Sequence, residues 1–294
     1  MAKGLREIKR RRSSVQSTKK ITRAFELIAA AQVRKAQQAM AASLPYANAI
    51  TAALSELASS GSELSSGYLS ERAERRNAAV IVVTSDRGLA GPYSSSILKE
   101  TEELITRLRD EGVTPKLYVT GRKGVAYFKF RNRDIEQSWV GYSDKPKYVD
   151  AKEVANVVID AFQDGEVDEI FAVYAHFVSS ISQRPVVRRF LPLEVVEETE
   201  ELDGVPEPVY NFEPDADTVL RALLPRYVEV RLFAAFLEAS ASELSARRRA
   251  MSTATDNATE LIEDLTRQYN QARQAAITQE LTELVGAAEA SAGS

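Results

Sequence analysis

The sequence predicts an α/β fold in which a long N-terminal helix and a long C-terminal helix form an antiparallel coiled coil and flank a central α/β domain. Three observations carry this reading. Residues 1–59 are Ala-rich and hold no Gly between Leu5 and Ser60. Residues 77–193 alternate short β-branched runs with amphipathic stretches. Residues 215–290 read as helix with one break, at Pro225. The chain has 294 residues and is 44% hydrophobic, enough for one large or two ordinary domains.

The elements follow in order. The first helix runs to residue 59, and Pro45 is expected to kink or interrupt it. "SSGSELSSG", 59–67, is a loop. In 77–193, "AAVIVVT" is a strand, 94–111 a helix, "KLYV" a strand and "GRKGVAYFKF" a short helix. Then 150–163 is a helix, "EIFAVYAHFV" a strand, and "PVVRRFLPL" a strand returning from the "SSISQR" turn. Strands alternating with helices predict a mainly parallel, Rossmann-like sheet with an antiparallel hairpin at its end. An acidic linker, 194–214, opens with "EVVEETEELDGVPEP" and leads into the C-terminal helix, 215–290.

That helix carries a repeat. Positions Leu223, Tyr227, Val230, Ala234, Leu237, Ala241, Leu244, Arg248, Met251, Thr255, Ala258, Ile262, Leu265, Tyr269, Ala272 and Ala276 alternate spacings of four and three. Fourteen of the sixteen are apolar, against 44% for the chain, which is a coiled-coil pattern. From Arg226 to Ala288 such a helix is about 95 Å long, whereas a compact chain of this size has a radius of gyration of about 19 Å. The helix is therefore expected to project. Its partner is the N-terminal helix, with a less regular seam at Phe25, Ile28, Ala29, Val33, Ala36 and Met40. One helix enters the α/β domain and the other leaves it, so the pair is antiparallel. Beyond Arg273 there is no Lys or Arg, and Ala275, Ala276, Ile277, Leu281, Leu284 and Val285 lie on several faces. A frayed tail and a tip sheathed by another protein both account for this, and the apolar content favours the sheath.

Charge and composition exclude several classes. Net charge is −4, but residues 1–35 carry eleven Lys or Arg, while 194–217 carry ten acids and no base. The absence of cysteine rules out disulfides, thiolate catalysis, cysteine zinc sites and thiol switches. No apolar h-region follows the basic N-terminus, and no apolar run approaches the roughly 20 residues that span a bilayer, so a soluble protein is expected.

"VIVVTSDRGLAGPYSSS", 80–96, has the strand–glycine turn–helix order in which α/β proteins hold phosphate. It lacks the Walker pattern, since Pro92 follows Gly91, and it lacks GxGxxG. A tight turn, with Gly supplying positive φ and Pro92 opening the helix, is the better reading. His176 is the single histidine and lies in an apolar strand, so neither a catalyst nor a metal ligand is expected. The acids at 194–203 read as a solvated linker. "KRRR", Lys9–Arg12, is a basic helical arm that could contact phosphates. It reads better as a complement to acidic partner loops. A nucleotide-dependent enzyme and a coiled-coil nucleic-acid binder remain as rival classes. The first lacks a phosphate motif. The second is opposed by Glu260, Glu263, Asp264, Glu280 and Glu283 on the C-terminal helix.

"RRSSVQSTKKITRAFELIAAAQVRKAQ", "TSDRGLAG", "VYAHFVSSISQRPVVRRFLPL" and above all "RRRAMSTATDNATELIEDLTRQYNQARQAAITQELTELVGAA" resemble the gamma subunit of the rotary F-type ATP synthase. The resemblance covers nearly the whole chain. It implies a central rotor shaft with no catalytic residue, cofactor or metal of its own. The implied partners are a ring of alpha and beta subunits, an epsilon subunit and a membrane c ring, with no nucleic acid. The implied location is the cytoplasmic face of the cell membrane, held there peripherally by partners. It also implies beta-subunit contacts at Arg273, Gln274, Thr278 and Glu280. Foot contacts to epsilon and the c ring are implied at Tyr210, Phe212 and Glu213 in "VYNFEPD". On a helix, Arg273 and Glu280 share one face, and Gln274 and Thr278 another.

Overall fold

The computed structural model describes residues 2–59, 75–192 and 216–292. Most of the predicted 59–67 loop and the acidic linker lie outside these residues. The elements are α1 (Ala2–Ser59), β1 (Asn77–Val83), α2 (Tyr93–Asp110), β2 (Thr114–Thr120) and α3 (Arg122–Phe130). They continue with β3 (Gln137–Trp139), α4 (Tyr148–Gln163), β4 (Glu169–Phe177), β5 (Gln183–Leu191) and α5 (Ala216–Ala292). Two compact units are present: Met1–Ala29 with Arg248–Ser294, and Ala30–Arg247.

The larger unit holds a five-stranded sheet of order β3-β2-β1-β4-β5. Every pairing is parallel except the β4–β5 hairpin, as the alternation of elements predicts. Consecutive side chains of a strand point to opposite faces. Ala79, Ile81 and Val83 therefore join one core, with α4, the end of α1 (Ala47, Ile50, Leu54) and α5 (Leu224, Val228, Leu232, Phe236). Ala78, Val80 and Val82 join the other, with α2 and α3. Burial on both faces is why β1 reads as an unbroken apolar run. The sequence gives no signal for β3, whose three residues are too few for a periodicity.

Neither proline ends its helix. Pro45 and Pro225 both sit inside continuous helix. A helix-interior proline costs about 3 kcal/mol. Burial of Ala47, Ile50 and Leu54 just past Pro45, and of Leu224 and Val228 around Pro225, offsets that cost.

The smaller unit pairs the two long helices. The Thr22 and Thr255 hydroxyls are hydrogen-bonded at 2.8 Å, and the Arg12 guanidinium lies 5.1 Å from the centre of the Tyr269 ring. Contacts that descend α1 while ascending α5 make the pair antiparallel. On α5 the predicted repeat is the seam: Met251, Thr255, Ala258 and Leu265 are buried, and Ile262, Tyr269, Ala272 and Ala276 half-buried. Arg248 is exposed.

The α1 seam differs from the expected one. Phe25 and Ile28 are exposed, whereas Leu5, Ile8, Arg12, Val15, Lys19, Thr22, Glu26 and Ala29 are the sheltered positions. Their spacing alternates three and four. Hydrophobicity misses it because a hydroxyl pair and the apolar stems of long charged side chains fill seam places. In the larger unit, Ala29's successors Val33, Ala36 and Met40 are buried or half-buried as expected.

Gly121 tests the sheet's carboxyl edge. Its φ is +91°, and a Cβ there would clash with the Thr84 carbonyl. Gly112 has φ +79° with no atom near its would-be Cβ. Gly112→Ala is expected to cost about 1 kcal/mol from backbone strain alone, and Gly121→Ala at least about 3 kcal/mol. Denaturant unfolding of the two variants measures the difference.

Candidate functional site

Doubly wound sheets bind ligands at the carboxyl ends of their strands, where the strand order reverses. Here that crevice lies beyond β1 and β4, and the "TSDRGLAG" turn forms one wall. Gly91 has φ +56°, but the second left-handed residue of the turn is Leu89, φ +64°, and not Gly88. Pro92 caps α2 and Tyr93 begins it.

Three amides beside this turn are already engaged by its own aspartate. Asp86 Oδ1 accepts the Arg122 N–H at 3.1 Å. Its Oδ2 accepts those of Gly141 and Ser143 at 2.8 and 3.1 Å. Helix α5 covers the rest. Ser242 donates to the Ala175 carbonyl at the end of β4 (3.0 Å), and Ser240 to that of Asp144 (3.0 Å). Tyr93 donates to the Ala239 carbonyl (3.1 Å), and Arg247 reaches the Gly88 carbonyl with two nitrogens at 3.4 Å. On the other side of β1, at the ends of β1, β2 and β3, the space left among Thr84, Asp86, Gly121, Tyr142 and Phe236 is about 10 Å³, room for one water at most. The crevice is filled by the protein's own helix, so the loop is a structural turn.

The electrostatics fit a permanent contact. Arg247 and Glu243 pair at 2.5 Å, both almost wholly buried. Burial pushes the Glu243 carboxyl upward, and this outweighs the opposing pull of Arg247 and of the Ser143 hydroxyl. Burial likewise raises the Tyr93 phenol, with Glu243 adding to it. His176 Nδ1 lies 2.5 Å from Glu238 of α5, at the surface end of β4, so the single histidine ties the helix to the sheet. Among the described residues, no cluster of three or more His, Asp or Glu is placed to hold a metal ion. No described helix is long and apolar enough to cross a membrane.

The predicted contact residues fall in two groups. Arg273, Gln274, Thr278 and Glu280 are all exposed on α5 of the smaller unit. Tyr210, Phe212 and Glu213 lie outside the described residues. Lys9, Arg10 and Arg11 are exposed, and Arg12 turns inward to Tyr269. Sequence reasoning missed a second apolar face: Ile21, Phe25, Leu27 and Ile28 of α1 are 41–57% exposed. It also missed the Asp86 and Glu243–Arg247 centres, whose signal is a set of charges inside otherwise apolar or small-residue runs.

One unit pairs two long helices, and the other is an α/β domain whose sheet edge is occupied by its own side chains and helix. The chain matches the family model described as ATP synthase over residues 4–290. It is 54% identical to the ATP synthase gamma chain of Acidothermus cellulolyticus, covering 99% of this chain and 98% of that one. It is 51% identical to that of Saccharopolyspora erythraea, covering 99% of each. Its fold is that of a chain in the rotor of Euglena gracilis mitochondrial ATP synthase, with TM-score 0.66, 17% identity, and 94% and 100% of the two chains covered. A chain of the central stalk and c ring of the Tetrahymena thermophila enzyme gives TM-score 0.62 at 22% identity, covering 80% and 99%. The chain belongs to the ATP synthase gamma-chain family. It is a non-catalytic stalk subunit of the F-type enzyme, in the part that is peripheral to the membrane.

Arg247→Met leaves Glu243 buried without its counter-charge, with an expected loss of about 3–5 kcal/mol. A carboxyl raised by folding adds stability below its ordinary value and loses it as pH rises through the folded-state value. The variant's deficit should therefore be largest at neutral and alkaline pH and shrink on acidification toward 4.5. Thermal unfolding of the full chain across that range measures it.

Proposed function

We propose that this chain turns as the shaft of the enzyme, carrying torque between a c ring driven by an ion gradient and the alpha and beta subunits whose sites make or hydrolyse ATP. The observation that carries this is apolar surface without cover on both helices of the smaller unit. On α5, Ile277, Leu281, Leu284 and Val285 are 50–67% exposed, and α1 adds Ile21, Phe25, Leu27 and Ile28. Such surface on a helix pair marks a sheath of other protein. An asymmetric shaft offers different contacts at each orientation. It shifts three equivalent catalytic sites among open and closed states through differences in interaction free energy.

The alpha–beta ring is the proposed sheath, with the basic Lys9–Arg11 stretch facing acidic loops. Arg273, Gln274, Thr278 and Glu280 are proposed to bond to beta. Their exposure on two faces of α5, beside exposed Ile277 and Leu281, supports a polar grip set in an apolar bearing. Tyr210, Phe212 and Glu213 are the proposed foot, meeting epsilon and the c ring. The proposed segments are a first helix (1–59), an α/β domain (77–193), a linker (194–214) and a second helix (215–290). The proposed location is the cytoplasmic face of the cell membrane. The crowd of acids on α5 disfavours the nucleic-acid reading.

Two measurements test this. Cys placed at Tyr210, in a chain that has none, should crosslink to epsilon or c in the assembled complex. Failure from this position and its neighbours would remove the foot assignment. Arg273→Leu and Gln274→Leu should lower ATPase turnover and ATP-driven ion pumping severalfold, while alpha and beta still co-purify. Unchanged rates in both variants would leave a bearing held by shape and apolar contact alone.

A further inference from the structure

We propose that Asp86 is a positioning residue for torque transfer, whose carboxylate acts as an internal anion at the carboxyl ends of β1, β2 and β3 and, through the 140–144 loop, holds the α/β domain against α5. The proposal rests on the shaft reading above. Asp86 follows β1, and the three amides it accepts belong to the segments that follow β2 (Arg122) and β3 (Gly141, Ser143). One carboxylate thus ties together the ends of three adjacent strands. Charge-assisted bonds of this kind are about twice as strong as neutral ones. Gly141 sits at φ +106°, a conformation other residues rarely adopt, and this presents its N–H to Asp86.

The same loop then meets α5 at three points. The Tyr142 ring lies 5.6 Å from that of Phe236. The Asp144 carbonyl accepts the Ser240 hydroxyl at 3.0 Å. The Ser143 hydroxyl accepts the Asp86 N–H at 2.9 Å and lies where it opposes the upward push of burial on the Glu243 carboxyl. Beside the direct contacts of β4 with α5, force on the sheet therefore has a second path to the helix, through Asp86 and the 140–144 loop. Without Asp86, three amide donors lose their acceptor, the loop yields, and the joint slips under load, so that part of each turn is not passed on.

The test uses the assembled, membrane-bound complex carrying Asp86→Asn or Asp86→Ala. Asn keeps one acceptor but turns donors toward donors, whereas Ala empties the site. The readout is ions transported per ATP hydrolysed, which should fall severalfold in both variants. Formate in the medium should restore the ratio in Asp86→Ala, where a free carboxylate can take the vacant place, and not in Asp86→Asn. If a variant fails to assemble, assembly with formate present becomes the readout, and restoration in Asp86→Ala again supports the role. An unchanged ratio in both variants, or a loss that formate does not reverse in Asp86→Ala, overturns it. Rotation of a bead fixed to this chain in the unaltered complex checks the shaft separately. No rotation there sinks the shaft reading, whereas rotation with an unchanged ratio in the variants sinks only the role of Asp86.

Discussion

Residues 224–247 of α5 are buried on nearly every side, and the larger unit is built around that burial. Leu224, Val228, Leu232 and Phe236 face the sheet and α4, and each buried side chain of this size contributes about 1.5–3 kcal/mol. Farther along, small residues take over. Ala239, Ser240, Ala241 and Ser242 let the helix approach the strand ends closely enough for hydroxyl-to-carbonyl bonds. A helix held by apolar contact along one stretch and by directed hydrogen bonds along the next resists both sliding and rotation. Apolar contact alone is non-directional and would oppose only separation.

The crevice shows how one fold serves a purpose other than binding. Doubly wound sheets gather backbone amides at their carboxyl edge because strands, turns and helix starts converge there. Those donors need acceptors wherever they are buried. In a nucleotide-binding protein the ligand supplies them. Here Asp86 does, and α5 excludes the remaining volume. The buried Glu243–Arg247 pair belongs to the same economy of directed contacts: its desolvation is costly, and its geometry admits one seating of the helix.

The smaller unit relies on a different physics. Its seam is narrow, its α5 side is dominated by Ala, Thr and a few larger residues, and its α1 side includes Arg12, Lys19 and Glu26. A seam of this kind brings the helices close without burying much apolar area. Both helices keep apolar residues on their outer faces, which is the reverse of a helix pair designed to stand in water. The outer faces of the unit thus set exposed apolar residues among exposed charged and polar ones.

Much of this was legible in the sequence. Short β-branched apolar runs alternating with helical patterns determined a mainly parallel sheet closed by a hairpin, because strands buried on both faces read as continuous apolar runs and the helices between them make parallel crossovers. The three-four repeat located the α5 seam from Met251 to Ala276, because a heptad imposes its own partner face. Tertiary structure decided the rest. Pro45 and Pro225 look like breaks until the burial on either side of them is counted. The α1 seam through Arg12, Lys19 and Thr22 has no hydrophobic signature, since its members are sheltered by their stems and by cross-helix partners. The Leu223–Leu244 half of the repeat lies within a helix buried far more widely than a seam. That the "TSDRGLAG" turn is closed to nucleotide depends on Asp86, Ser143 and Glu243. They are far apart in sequence, and only the packing of α5 across the strand ends brings them together.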